Sequence, residues 1–282
     1  MLGTVLGLLA RLPLPLNHAI GAALGWLGWV LPSDLKRTSL RNLDLCYPDQ
    51  DPAWRRRVAR RSLMETGKAL TEAPWLWRAG PARIAQLLEG VHGWEHVEQA
   101  MGQGRGVFLV SPHLGSWEFA GLHAASMGPM TSLYRPPRQK ALDTLLRESR
   151  QATGAKLVPT TPRGIKALRQ AVQRGELIGM LPDQTPKGSS GVTAPFFGHP
   201  AYTMILLARL AAPGRVPVIF AFAHRLPRGK GFRYQCIPAP EGLYSDDPQT
   251  AATAINQAVE ELVRRCPEQY MWSYKRFSKR YT

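Results

Sequence analysis

The chain has 282 residues, 44% apolar and 20% charged, an ordinary folded composition that excludes disorder as its main theme. Its 36 Lys and Arg against 20 Asp and Glu give a formal charge of +16, which attracts polyanions: acidic lipid head groups, an acidic carrier protein or nucleic acid. The sequence has no RNA-recognition signature, zinc-finger spacing or long basic tail, so nucleic acid is not the expected partner. Cys46, Cys236 and Cys266 form neither a disulfide framework nor a zinc pattern, and fit free, mostly buried thiols in a reducing compartment.

Met1 to Leu31 is apolar, interrupted by Arg11, Pro13 and Pro15, and carries no charge from Ala19 onward. That uncharged run falls short of the roughly 20 apolar residues a bilayer-crossing helix needs. A helix from about Pro15 to Leu31 suits either the membrane interface, with Trp26 and Trp29 at head-group level, or the protein core. Residues 1–32 are therefore expected as an apolar membrane-associating segment, followed by a helical stretch over 33–85. Asp51-Pro52 is a helix start, and Ala59, Leu63, Thr66 and Leu70 recur at helical spacing behind it. Arg55, Arg56, Arg57, Arg60 and Arg61 on this helix read as a solvated face or as a surface for anionic lipid.

From about residue 86 short apolar runs alternate with helical stretches. The predicted strands are 106–110, 131–134, 156–158, 177–181, 216–223 and 232–237, and the predicted helices 117–127, 139–152, 163–173, 202–211 and 249–265. This alternation over 86–282 predicts an α/β fold: a central, mostly parallel sheet flanked by helices, with the helical N-terminal portion packed on one side.

Ligands of such sheets collect at the carboxyl ends of strands. His113 lies three residues beyond Val110, where Ser111-Pro112 turns the chain, and Glu118 falls in the first turn of the next helix. On one continuous helix residues five apart point about 140° from each other, but a histidine in the preceding loop can meet the carboxylate. A carboxylate on one imidazole nitrogen makes the other a base for a hydroxyl proton. No Gly-x-Ser-x-Gly elbow is present, so the nucleophile is expected to be the substrate's own alcohol. Arg135 and Asp183 also follow predicted strands and are expected at the same crevice, while Arg150 closes the helix between them. An arginine there suits a phosphate or the anion of a tetrahedral intermediate, and Asp183 suits orienting an arginine or a substrate hydroxyl. Trp117, Phe196 and Phe197 are acyl-pocket candidates, the two phenylalanines reading equally as core. No His-Glu-x-x-His helix or paired-cysteine motif accompanies these residues, and no metal is expected.

Several segments occur together in one order: Arg41-Asn42-Leu43-Asp44-Leu45-Cys46-Tyr47-Pro48, Met64-Glu65-Thr66-Gly67, His113-Leu114-Gly115-Ser116-Trp117-Glu118, Tyr134-Arg135-Pro136, Leu181-Pro182-Asp183-Gln184, Pro195-Phe196-Phe197-Gly198 and Pro267-Glu268-Gln269-Tyr270-Met271-Trp272. With them the chain resembles the late acyltransferases of lipid A biosynthesis, the lauroyl and myristoyl transferases within the wider glycerolipid acyltransferases. The resemblance implies an inner-membrane enzyme acting on the cytoplasmic side. Such an enzyme moves an acyl chain from an acyl carrier protein thioester, or acyl-CoA, to a hydroxyl of a lipid A precursor without a cofactor. It also implies His113 and Glu118 as the catalytic pair, and functional roles for Arg150 and Asp183. The C-terminal Tyr274-Lys275-Arg276-Phe277 departs from the family's commoner His-Arg-Arg-Phe. The alternatives are an acyltransferase for another membrane lipid, or a membrane-binding protein without activity.

Overall fold

The computed structural model describes residues 2–136, 143–144, 147–148 and 154–277. Its N-terminal part is helical: α1 (Leu2–Leu9), α2 (Leu14–Val30), α3 (Asp34–Cys46), α4 (Pro52–Leu76) and α5 (Pro81–Gln86). The α/β part follows as β1 (Leu88–His92), α6 (Trp94–Gly102), β2 (Val107–Val110), α7 (Trp117–Met127), β3 (Met130–Tyr134), β4 (Ala155–Pro159), α8 (Pro162–Gln173) and β5 (Leu177–Met180). It ends with β6 (Gly191–Phe196), β7 (His199–Met204), α9 (Leu206–Ala211), β8 (Val218–Arg225), β9 (Phe232–Pro238) and α10 (Pro248–Arg265).

Helix starts follow local chemistry. Asp51 accepts from the amides of Ala53 and Trp54, and Pro52 needs no partner in the first turn of α4. Ser33, Ser116, Thr161 and Asp247 cap α3, α7, α8 and α10 in the same way. Seven strands form one sheet in the order β1-β9-β8-β2-β5-β3-β4. All neighbours are parallel except β8 and β9, so β1 and β9 run against the rest. The mostly parallel sheet expected from the alternating runs is present. Strand β2 shows why those runs are continuously apolar: Phe108 and Val110 join one core while Val107 and Leu109 join the other, so both faces are covered.

Three local readings change. The segment expected as one helix over 202–211 is strand to Met204, paired with β6 in a hairpin, and helical only from Leu206. Strand β1 was not expected at all. The helix expected over 139–152 lies almost wholly outside the described residues. The three cysteines are free and buried.

Helix α2 lies directly on α4, where Gly21 and Gly25 meet the backbone around Lys68 and Leu63, and Gly67 meets Gly21. A side chain at any of the three would collide with main chain. Among the described residues no single helix is long and apolar enough to cross a membrane, although α2 and α3, bent by 82° at their junction, pass by length and composition as a pair. Exposed large apolar side chains concentrate here: ten of the twelve among the described residues fall between Val5 and Leu70, including Leu24, Trp26, Leu27, Val30 and Leu31.

Candidate active site

Strands β2 and β5 are paired in register, Val110 against Met180. The chain leaves each through a residue and a proline, Ser111-Pro112 and Leu181-Pro182, which end the pairing because proline has no N–H to offer. The next residue on one strand is His113 and on the other Asp183. Imidazole Nδ1 of His113 lies 2.8 Å from Asp183 Oδ1, and the His113 main-chain N–H donates to Oδ2 at 2.9 Å. Both carboxylate oxygens thus hold the same residue.

Asp183 is buried, which works against its ionisation. The His113 imidazole, the His113 N–H and the Arg276 guanidinium outweigh burial and hold its carboxyl below the usual range. With Nδ1–H given to Asp183, Nε2 keeps a lone pair and faces the Gln184 amide nitrogen, which donates to it across 3.1 Å. The Trp117 ring lies beside the imidazole, centroids 5.2 Å apart.

The expected partner of His113 was Glu118, and the structure differs. Glu118 is in the first turn of α7 as expected, but its Oε2 accepts from the Trp77 indole at 2.8 Å, and it is Asp183 that accepts from the imidazole. Five residues of sequence separate Glu118 from His113, yet the strand register brings Asp183 closer from seventy residues away. Arg135 is exposed just past β3, at the same carboxyl edge of the sheet. Arg150 lies outside the described residues. Among the described residues no group of His, Cys, Asp and Glu is placed to hold a metal ion.

Beneath α7 an apolar pocket opens beside this pair. Ser111, Trp117 and Leu181 line it near His113, and Leu109, Met130, Ala155, Ala221 and Tyr234 line it further in. From Leu133 to Met130 the wall follows strand β3 for three residues, about 10 Å. The cavity measures about 50 Å³, several times what one water needs. Gly121 and Gly179 also face it, and a side-chain carbon added at Gly121 would meet nothing within 4 Å. Of the three acyl-pocket candidates, Trp117 lines this cavity. Phe196 and Phe197 do not: they lie on the opposite side of the sheet, against Tyr47, Tyr270, Trp272 and Phe277.

Sequence reasoning missed the second ring of contacts. The Tyr274 hydroxyl accepts from Thr185 N at 2.9 Å, buttressing the loop that carries Asp183. Arg276 is buried, hydrogen-bonded to Tyr202 O, Thr203 Oγ1 and Asn256 Oδ1, and lends its charge to Asp183. The C-terminal segment singled out above as a departure thus reaches the site, through Tyr274 and Arg276.

A proton-accepting imidazole, a buried carboxylate that fixes its tautomer and a neighbouring apolar pocket suit attack by an activated hydroxyl on a group carrying a hydrocarbon chain. The chain is 30% identical over 280 residues to the lipid A biosynthesis lauroyltransferase of Escherichia coli, covering 98% of this chain and 90% of that protein. It is 28% identical to the palmitoleoyltransferase of the same organism, over 98% of this chain and 89% of that one, and 26% identical to its myristoyltransferase, over 95% and 82%. The sequence pattern of the bacterial lipid A biosynthesis acyltransferases matches residues 2–279. The chain belongs to that family and is an acyltransferase of lipid A biosynthesis.

Proposed function

We propose that this acyltransferase moves a fatty acyl group from an acyl carrier protein thioester to a hydroxyl of a lipid A precursor, with His113 as general base and Asp183 as the carboxylate behind it. The observation that carries the reading is the Asp183–His113 hydrogen bond of 2.8 Å beside the pocket under α7. The acceptor hydroxyl takes the place of the Gln184 amide at Nε2 and gives its proton to the imidazole. Its oxygen attacks the thioester carbonyl, the new C–O bond forms, and the C–S bond breaks as the tetrahedral anion collapses. The imidazolium then returns the proton to the thiolate, so the site recovers its starting charge, with Asp183 ionised throughout.

Other groups take supporting parts. The acyl chain enters the pocket past Trp117. Glu118, set by Trp77, binds polar groups of the acceptor rather than the imidazole, and Arg150 and Arg135 are assigned to the oxyanion and to substrate phosphate. The apolar residues of α1 and α2 seat the protein on the cytoplasmic face of the inner membrane. Arg56, Arg57, Arg60 and Arg61 are exposed on α4 beside them and meet lipid phosphates or the acidic carrier.

The test is mass spectrometry of lipid A from cells lacking the gene, complemented with wild type, His113→Ala or Asp183→Asn. The expected result is one acyl chain restored by wild type and by neither variant. Restoration by His113→Ala would overturn the mechanism, and an unchanged lipid A with another lipid altered would overturn the acceptor.

A further inference from the structure

The loop that carries His113 is held through its backbone from two directions. His113 O accepts from Met271 N, Gly115 N donates to Gln269 O, and Ser116 N donates to Ala223 O, at 2.8–3.1 Å. Gly115 has φ +63° and its α-carbon faces the Ala223 carbonyl, so this turn admits only glycine. Within that set one side chain stands out: Arg225 Nη2 donates to the Gly115 carbonyl at 3.1 Å.

Arg225 is buried at the end of β8 and does more than fill that bond. Its Nε and Nη2 grip Glu72 of α4 at 2.8 and 2.5 Å, and its Nη1 reaches Glu65 at 2.7 Å. Glu72, equally buried, also accepts from His18 Nε2 of α2, at 2.7 Å. Burying such a cluster costs desolvation of each charge, and a neutral donor would satisfy one carbonyl without it. The planar fork of arginine instead ties three elements at fixed angles. Helix α2 reaches Glu72 only because its glycines let it lie on the α4 backbone, so a small shift of α2 breaks the His18 contact.

We propose that His18, Glu72 and Arg225 are positioning residues that make the placement of the His113 loop depend on how α2 is docked on α4. The N-terminal segment is then part of the site's scaffold as well as its seat on the membrane. The proposal rests on the acyl-transfer reading only for its kinetic readout.

The experiment compares full-length wild type with His18→Leu, His18→Gln and Arg225→Lys, by hydrogen exchange of the segment 113–118 and by kcat and KM for acyl transfer. In His18→Leu and Arg225→Lys, exchange of the loop amides is expected to rise about tenfold while the central strands keep their protection, and kcat to fall by a similar factor with KM little changed. In His18→Gln, whose amide still reaches Glu72, both return toward wild type. Unchanged loop exchange in His18→Leu and Arg225→Lys would overturn the proposal, as would exchange that rises equally across the sheet. A loop that loosens as described in a protein with no transferase activity would instead refute the acyl-transfer reading and leave the positioning intact.

Discussion

Beneath α7, Ala120, Gly121, Ala124, Ala155, Gly179 and Ala221 surround open space. Across the same sheet, Phe196, Phe197, Tyr270, Trp272 and Phe277 close ring on ring with centroids 4.9–6.4 Å apart. The rings come from β6 and the segments around Phe197 and 270–277, and the small residues from α7 and from strands β4, β5 and β8, so the two faces differ in the elements laid on the sheet as well as in side-chain size. Small residues forgo the contacts that stabilise a core and leave the room that the proposed acyl chain would fill. The far face, closed by aromatic rings, supplies the rigidity against which His113 and Asp183 are held.

The largest effect is expected at the reacting edge between the two faces. His113→Ala and Asp183→Asn should each lower the transfer rate roughly 10²–10⁴-fold with little change in folding, and Glu118→Gln less than either. Rates and melting curves measured together check this; a larger loss in Glu118→Gln than in Asp183→Asn would return the orienting role to Glu118. The packing contrast itself is tested by truncation. Phe196→Ala should cost about 3–5 kcal/mol in denaturant unfolding, and Met130→Ala on the hollow face only about 2 kcal/mol. Equal costs would mean the hollow face is as tightly packed as the other.

The small residues of one face and the rings of the other carry no charge, whereas the cluster at the end of α4 does. Burial raises the Glu72 carboxyl, but Arg225 and His18 outweigh it and bring it down to about 2 from an ordinary 4.5. A depressed carboxyl stabilises the fold fully above its unfolded value and loses that contribution as pH falls through the folded one. Glu72 therefore supports the fold by about 3 kcal/mol above pH 4.5, lost by about pH 2. Glu72→Gln should flatten unfolding free energy against pH over that interval, and an unchanged slope would remove Glu72 from the acid response. The smallest effect in energy falls on specificity: Gly121→Leu should shorten the preferred acyl chain and leave stability near wild type. Lipid mass spectrometry reads the chain length, and an unaltered profile would place the acyl chain outside this pocket.

Much of this was legible in the chain. Continuous apolar runs such as Val107–Val110 and Leu177–Met180 mark strands covered on both faces, and the start of α4 is written in Asp51-Pro52. The hairpin of β6 and β7 was hidden because Met204-Ile205-Leu206-Leu207 runs on without a break, so strand and helix merge in an apolar pattern. Strand β1 is half exposed and carries too little apolar signal to stand out. The site was half legible. His113 follows from its place after a strand, but its partner does not, because sequence proximity favours Glu118 and only register reveals Asp183. The parallel wording Ser111-Pro112-His113 and Leu181-Pro182-Asp183, each after a buried strand, was the available clue. Arg225 gave none, since a lone arginine at a strand end reads as surface.

The matched exits of β2 and β5 make the site a matter of counting. Each strand runs the same number of residues past the pair Val110 and Met180 before its functional side chain. One residue added to either exit alone would carry His113 or Asp183 about 3.3 Å along its path, beyond the reach of a hydrogen bond. Insertions of equal length in both exits would move the pair together. Chains that keep this chemistry are thus free to vary elsewhere in length, but not to change one of these two short exits without the other.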